Sequence, residues 1–97
     1  FSSASMVSYQ NATPVFVDVN EDNFNISTSE IEKAITKKTK AIIPVHWGGR
    51  PCSLDKISLI AKKYNLKIVQ DSCHAIDSRY KKRATRIKKD WNSFICD

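Results

Sequence analysis

Three apolar runs alternate with two helical patterns along this chain. PVFVDV, residues 14–19, is compact and valine-rich, and Pro14 is acceptable at the first position of a strand. Polar residues 20–25 then break the run. Ser27 followed by Glu30 has the spacing of a capping box, and Ile31, Ala34 and Ile35 recur at helical spacing, which predicts a helix over 28–37. AIIPV, residues 41–45, reads as a second strand, closed by Pro44 and the Trp47-Gly48-Gly49 turn. Ser53 is the expected N-cap of a helix over 53–64, with Ile57, Ile60, Ala61 and Tyr64 on one face. Asn65 can end that helix in the left-handed conformation, and residues 67–70 give a third strand. Residues 1–12 read as the end of a preceding helix.

This order predicts an α/β fold with three layers, in which crossover helices cover a mostly parallel sheet. In such sheets ligands sit outside the carboxyl ends of the strands. His46 follows the second strand and Asp71 follows the third, so both reach the same edge, with His74 close behind. An acid after a strand serves a turn or a helix cap about as often as it serves a ligand. A lone histidine in that place is more often structural than catalytic.

Composition narrows the picture further. The 97 residues are 41% hydrophobic and 9% aromatic, as in a soluble globular protein. No apolar run approaches the roughly 18 residues of a bilayer span, and the start lacks a signal-peptide pattern. No membrane partner is expected, and three cysteines without CxxC spacing fit a reducing cytoplasm. Residues 79–90 carry seven Lys or Arg and one Asp, which accounts for the whole formal charge of +6. The expected organisation is one partial domain over 1–97, with strand/helix alternation over 1–78 and a diverged basic tail over 79–97. Tyr80 and Trp91 could serve as stacking groups in a nucleic-acid-binding tail on an otherwise non-catalytic α/β scaffold. Without a helix-turn-helix, zinc or RNP pattern, a solvated charge run is the simpler reading, and nucleic acid is not an expected partner. Cys52, Cys73, His46 and His74 have no metal-site spacing, so no metal is expected. Cys73 and His74 are adjacent on an extended segment and point apart, which argues against a nucleophilic pair. Because the chain opens on Phe1 and stops in the apolar stretch WNSFICD, the sequence reads as a piece of a larger domain.

PVFVDV, then IEKAITKKTKAIIPVHWGG, then VQDSCHAI and later Tyr80-Lys81 resemble the DegT/StrS group of pyridoxal-phosphate-dependent sugar aminotransferases, of the fold-type-I class. The resemblance runs in order from Phe1 to about Lys81, and more loosely to Phe94. It implies that the chain is an internal fragment of the large, cofactor-binding domain. Asp71 matches the carboxylate that holds a proton on the ring nitrogen of pyridoxal 5'-phosphate, where the charge of each group stabilises the other. Cys73 matches the small residue under the ring, and His74 a Gln-or-His position beside the phenolic oxygen. No family role carries over to His46.

The same resemblance marks departures. The family's Schiff-base lysine follows a Phe-Ser-Phe segment that matches Phe94-Ile95-Cys96, so it is expected beyond the C-terminus and no catalytic residue is assigned within the chain. Ile95 stands where a phosphate-binding serine is implied, and the first phosphate segment is expected before Phe1. Asp77, Lys82, Arg86, Lys89 and Asn92 match family glycines, whose backbone freedom they lack. The implied parent moves an amino group from an amino-acid donor, glutamate by family habit, to a keto group of a nucleotide-linked sugar. It would work as a homodimer with active sites at the subunit interface, in polysaccharide or glycoconjugate biosynthesis, while the isolated chain would be inactive.

Overall fold

In the computed structural model, which describes residues 2–75, 79–81, 83–84 and 92–94, the elements run α1 Ser2–Tyr9, α2 Thr28–Ala34, β1 Ala41–Ile42, α3 Leu54–Tyr64, β2 Lys67–Asp71, β3 Arg79–Tyr80, β4 Arg83–Ala84 and β5 Asn92–Phe94. Helix α3 organises the core. Leu54, Ile57, Ile60 and Ala61 recur every three or four residues and are all buried, against Ile31 of α2, Ile42 of β1 and Ile68 of β2. Asn65 ends the helix in the left-handed conformation, φ 54° and ψ 49°. The Leu66 N–H then folds back to the Ala61 carbonyl at 2.7 Å, which satisfies one of the helix's last free acceptors. Asp55 in the first turn and Lys62 and Lys63 in the last suit the helix dipole. Tyr64, expected on the apolar face, stays at the surface with its hydroxyl 3.4 Å from Glu32.

β1 and β2 pair in parallel, Ala41 opposite Lys67 and Ile42 opposite Ile68, across the α3 crossover. Pro44 has no N–H to give the ladder, so β1 stops short of the expected Val45. Pairing resumes as a single parallel bridge between Val45 and Asp71. Ile68 belongs to the core under α3, whereas Asp71, three positions on, takes a hydrogen bond from Ser3 of α1. Because side chains alternate along a strand, α1 and α3 lie on opposite faces of the sheet. These are the three expected layers.

Three expectations change. Residues 14–19 pair only through one antiparallel bridge, Val19 with Ile26. Val15 and Phe16 are 68% and 81% exposed, and only Val17 of this run packs on the core. A strand needs a neighbouring backbone edge; the Asp18 carbonyl accepts the Ser27 N–H at 2.9 Å, but none of the described residues offers an edge to 14–17. The capping box also fails to form: the Ser27 hydroxyl pairs with Ser29 Oγ at 3.0 Å and Glu30 with Lys33 at 2.9 Å. Helix α2 ends at Ala34, since Ile35 turns extended to pack on the core and the Thr36 N–H is taken by Thr39 Oγ1. Third, strands occur within 79–97, the stretch expected as a diverged basic tail. β3 and β4 pair antiparallel, and β5 adds in parallel to the free edge of β2, giving the order β1-β2-β5. Such two- and three-residue strands are too short to leave a periodic signal in a charged stretch. Lys81 pairs with Asp55, which ties this hairpin to the start of α3. Asp77, Lys82, Arg86, Lys89, Trp91, Ile95 and Cys96 lie outside the described residues.

Ile57 is fully buried at the centre of the core. Ile57→Ala should lower stability by about 2–5 kcal/mol, the usual cost of truncating a buried aliphatic side chain. Urea denaturation reads this as a lower midpoint at unchanged slope.

Candidate functional site

The central strand β2 ends on a buried acid. Asp71 Oδ2 accepts the Ser3 hydroxyl of α1 at 2.5 Å, and Oδ1 accepts the Cys73 N–H at 3.2 Å. Burial pushes the carboxyl up, but bonds from Cys73 and Ser3, helped by the nearby His74 imidazole, more than offset it and hold Asp71 below the usual carboxylate value. This is an anion kept ionised in a nearly closed place. The Ala75 N–H closes the following turn on the Ser72 carbonyl at 2.9 Å. That turn carries half-buried Cys73 and exposed His74 away from the strand.

His74 meets the turn after β1. Its Nδ1 accepts the Gly48 N–H at 3.3 Å, and the Trp47 ring lies against it edge-on, centroids 5.3 Å apart. An acceptor at Nδ1 leaves the ring proton on Nε2, on an imidazole exposed to solvent. A pocket of about 220 Å³ adjoins Trp47 and Gly48, lined also by Asp22, Asn23, Phe24 and Arg50.

The structure brings Asp71, Cys73 and His74 together at one end of the parallel sheet. His46 reaches the same edge through its backbone, whose N–H donates to the Asp71 carbonyl at 3.1 Å, but its ring turns inward and is fully buried. There Nδ1 accepts the Cys52 N–H at 3.0 Å, so Nε2 bears the proton and donates to Gln70 Oε1 at 2.9 Å. Burial lowers the His46 pKa, opposed by Gln70 and by the charge of Asp71. The histidine is a neutral internal strut rather than a ligand. Cys52 is equally inert, its thiol pushed up to about 11 by burial and donating to the Val45 carbonyl at 3.1 Å. Among the described residues no three of His, Cys, Asp and Glu converge to hold a metal ion, and no helix is long and apolar enough to cross a membrane.

Sequence reasoning missed Ser3 and Trp47. Ser3 stands in a short polar helix 68 positions from its partner, so no local pattern could join the two. Trp47 read only as part of a turn. Two buried atoms, Gln70 Nε2 and Ser72 Oγ, find no partner among the described residues. Each such orphan costs roughly 1–3 kcal/mol.

A family model described as the DegT/DnrJ/EryC1/StrS aminotransferase family matches residues 1–94. The chain is 40% identical over 82 residues to the spore coat polysaccharide biosynthesis protein SpsC of Bacillus subtilis, a match covering 84% of this chain and 21% of that protein. Among solved structures, it superposes on DesI, crystallised in the presence of its TDP-sugar product, with TM-score 0.84 and 28% identity over 88% of this chain and 22% of that one. It superposes on NtdA of Bacillus subtilis, holding its bound cofactor PMP, with TM-score 0.77 and 38% identity over 81% of this chain and 18% of that one. The chain thus spans about a quarter or less of the length of these proteins. Its sheet and helices are a piece of the fold-type-I aminotransferase architecture.

Proposed function

Since the chain belongs to the DegT/DnrJ/EryC1/StrS aminotransferase family, we propose that it is part of the cofactor-binding large domain of a pyridoxal-phosphate-dependent aminotransferase. The complete protein would transfer an amino group, with glutamate as donor, to a keto group on a nucleotide-linked sugar in the cytoplasm, for polysaccharide or glycoconjugate synthesis. DesI with its TDP-sugar product and SpsC with its role in coat polysaccharide support that substrate class. NtdA with PMP, the amine form of pyridoxal phosphate, supports the cofactor.

The observation that carries the reading is the state of Asp71: buried, yet held ionised at the end of the central parallel strand by Ser3 and Cys73. That donor set fits the group. When bound, pyridoxal phosphate supplies an electron sink that accepts carbanion charge, provided its ring nitrogen stays protonated. Asp71 would hold that proton by opposite charge. His74, protonated on Nε2 because Gly48 occupies Nδ1, has a hydrogen to give the ring's phenolic oxygen. Cys73, half-buried beside them, would pack under the ring. The complete protein would act as a homodimer, and the exposure of the large apolar side chains Met6, Tyr9, Val15 and Phe16 supports their coverage by further protein.

No lysine within residues 1–97 takes the imine-forming role in this reading, so the 97-residue polypeptide alone should be inactive. The test is borohydride reduction after incubation with pyridoxal phosphate, with labelled lysines mapped by mass spectrometry. Scattered substoichiometric labelling of Lys81, Lys82, Lys88 and other lysines is expected from this polypeptide. Stoichiometric labelling of one of them would overturn the assignment.

A further inference from the structure

Asn25 is 2% exposed and sits in the loop before α2, far from β2 in sequence. Its side chain is committed to the turn after β1. Oδ1 accepts the Trp47 N–H at 3.0 Å, while Nδ2 donates to the Arg50 and Pro51 carbonyls at 2.9 and 3.2 Å. Only one orientation of the amide meets a donor with oxygen and two carbonyls with nitrogen, so the group is keyed to this turn. The turn also closes on itself, the Gly49 N–H on the His46 carbonyl at 3.2 Å and the Arg50 N–H on the Trp47 carbonyl at 3.0 Å, while the Trp47 N–H is shared between Asn25 and the Val45 carbonyl. Asn25 is the side chain that ties it to the loop before α2. Gly48 and Gly49 both lie at positive φ, 58° and 79°, and glycine imposes little conformation of its own.

This turn is also what touches His74. The Gly48 N–H donates to Nδ1, and the neighbouring Trp47 ring borders the imidazole edge-on. We propose that Asn25 is a positioning residue for His74: by clamping the Trp47–Arg50 turn it aims the Gly48 N–H at Nδ1, which fixes the imidazole's orientation and keeps its proton on Nε2. The consequence for cofactor binding rests on the reading that His74 faces the cofactor's ring oxygen, where an Nε2 without its proton could not donate. Asn25 itself touches neither. Its effect passes through the turn's backbone: the Trp47 N–H and the Arg50 and Pro51 carbonyls that it holds, and the Gly48 N–H that the turn presents to His74.

The test is nitrogen-15 NMR of the histidine rings in the full-length, cofactor-free protein. The wild type should show His74 as a single tautomer, Nδ1 unprotonated and Nε2 protonated, with a nuclear Overhauser contact to the Trp47 ring. Asn25→Ala should lose both, the two ring nitrogens moving toward averaged shifts and the Trp47 contact disappearing. Asn25→Asp, of the same shape and still able to accept from Trp47 but not to donate to Arg50 and Pro51, should lose them in part and serves if the alanine variant does not fold. Ile57→Ala, destabilising by a different route, should leave the His74 signals unchanged. Retention of the single tautomer and the Trp47 contact in both Asn25 variants would overturn the proposal, as would their loss in Ile57→Ala. Adding pyridoxal phosphate to the wild type is a separate arm. If the His74 Nε2–H signal does not respond, the cofactor reading fails while the positioning result stands.

Discussion

Asp71→Ala in the full-length protein should cut transamination by about 10- to 1,000-fold while leaving the fold intact. An opposite charge within a few ångströms shifts a neighbouring group's pKa by about 1–3 units, so under the proposed function losing the carboxylate would remove that much of the protonated ring population. The chain has already built the conditions for this role. The Ser3 and Cys73 donors keep the acid ionised against its burial, so the negative charge is in place before any ligand arrives. Asp71→Asn keeps the shape and should lose nearly as much, because the charge does the work. Ser3→Ala, which removes one of two hydrogen bonds and no charge, should cost far less. Steady-state kinetics with an amino-acid donor and a keto-sugar nucleotide, alongside circular dichroism, would distinguish these. Turnover near wild type in Asp71→Ala would sink the cofactor assignment.

Much of the site's location was legible, because it follows from strand order. Alternating apolar runs and amphipathic helices imply parallel strands, and parallel strands carry their last residues to one edge. That reasoning put Asp71 and His74 at the edge where the structure has them, without knowing either one's partners. It could not separate His46 from them, since backbone position at a strand end does not say which way a ring turns. The difference lies in Gln70 and the Cys52 amide, which offer His46 two internal partners. Ser3 was invisible for another reason: its bond to Asp71 joins a helix to a strand 68 positions away, and polar helix residues carry no pattern that names a partner. Residues 14–19 misled in the opposite sense. Valine and phenylalanine favour a pleated surface, but propensity does not create the neighbouring strand that would turn them into a ladder. The short strands β3, β4 and β5 arise where an open edge or a tight turn supplies pairing, which a run of lysine and arginine conceals.

The inward turn of His46 has its own consequence for stability. His46→Ala should destabilise the protein by about 2–6 kcal/mol, since the buried Cys52 N–H and the Gln70 carboxamide each lose a partner at roughly 1–3 kcal/mol apiece. A second signature is sharper. Burial holds the folded-state pKa of His46 below its ordinary 6.5, and protonating Nδ1 would also displace the Cys52 N–H. The unfolded chain therefore binds a proton that the folded one refuses. For a histidine lowered in this way, stability is fully present above pH 6.5 and falls as the pH drops below it toward the folded pKa, by up to about 1.4 kcal/mol per pH unit. Asp71 cannot produce this slope. Its pKa is also lowered, but from 3.8, so its contribution is lost only in acid below that value. Urea denaturation of the full-length protein at intervals between pH 5 and 8 should show the wild-type midpoint declining below pH 6.5. His46→Ala should be less stable throughout and lack that component of the decline. If the alanine variant does not fold, His46→Gln gives the same readout, because its carboxamide can accept from Cys52 yet takes up no proton. A decline of equal slope in wild type and both variants would show that His46 is not the buried, neutral strut the structure presents.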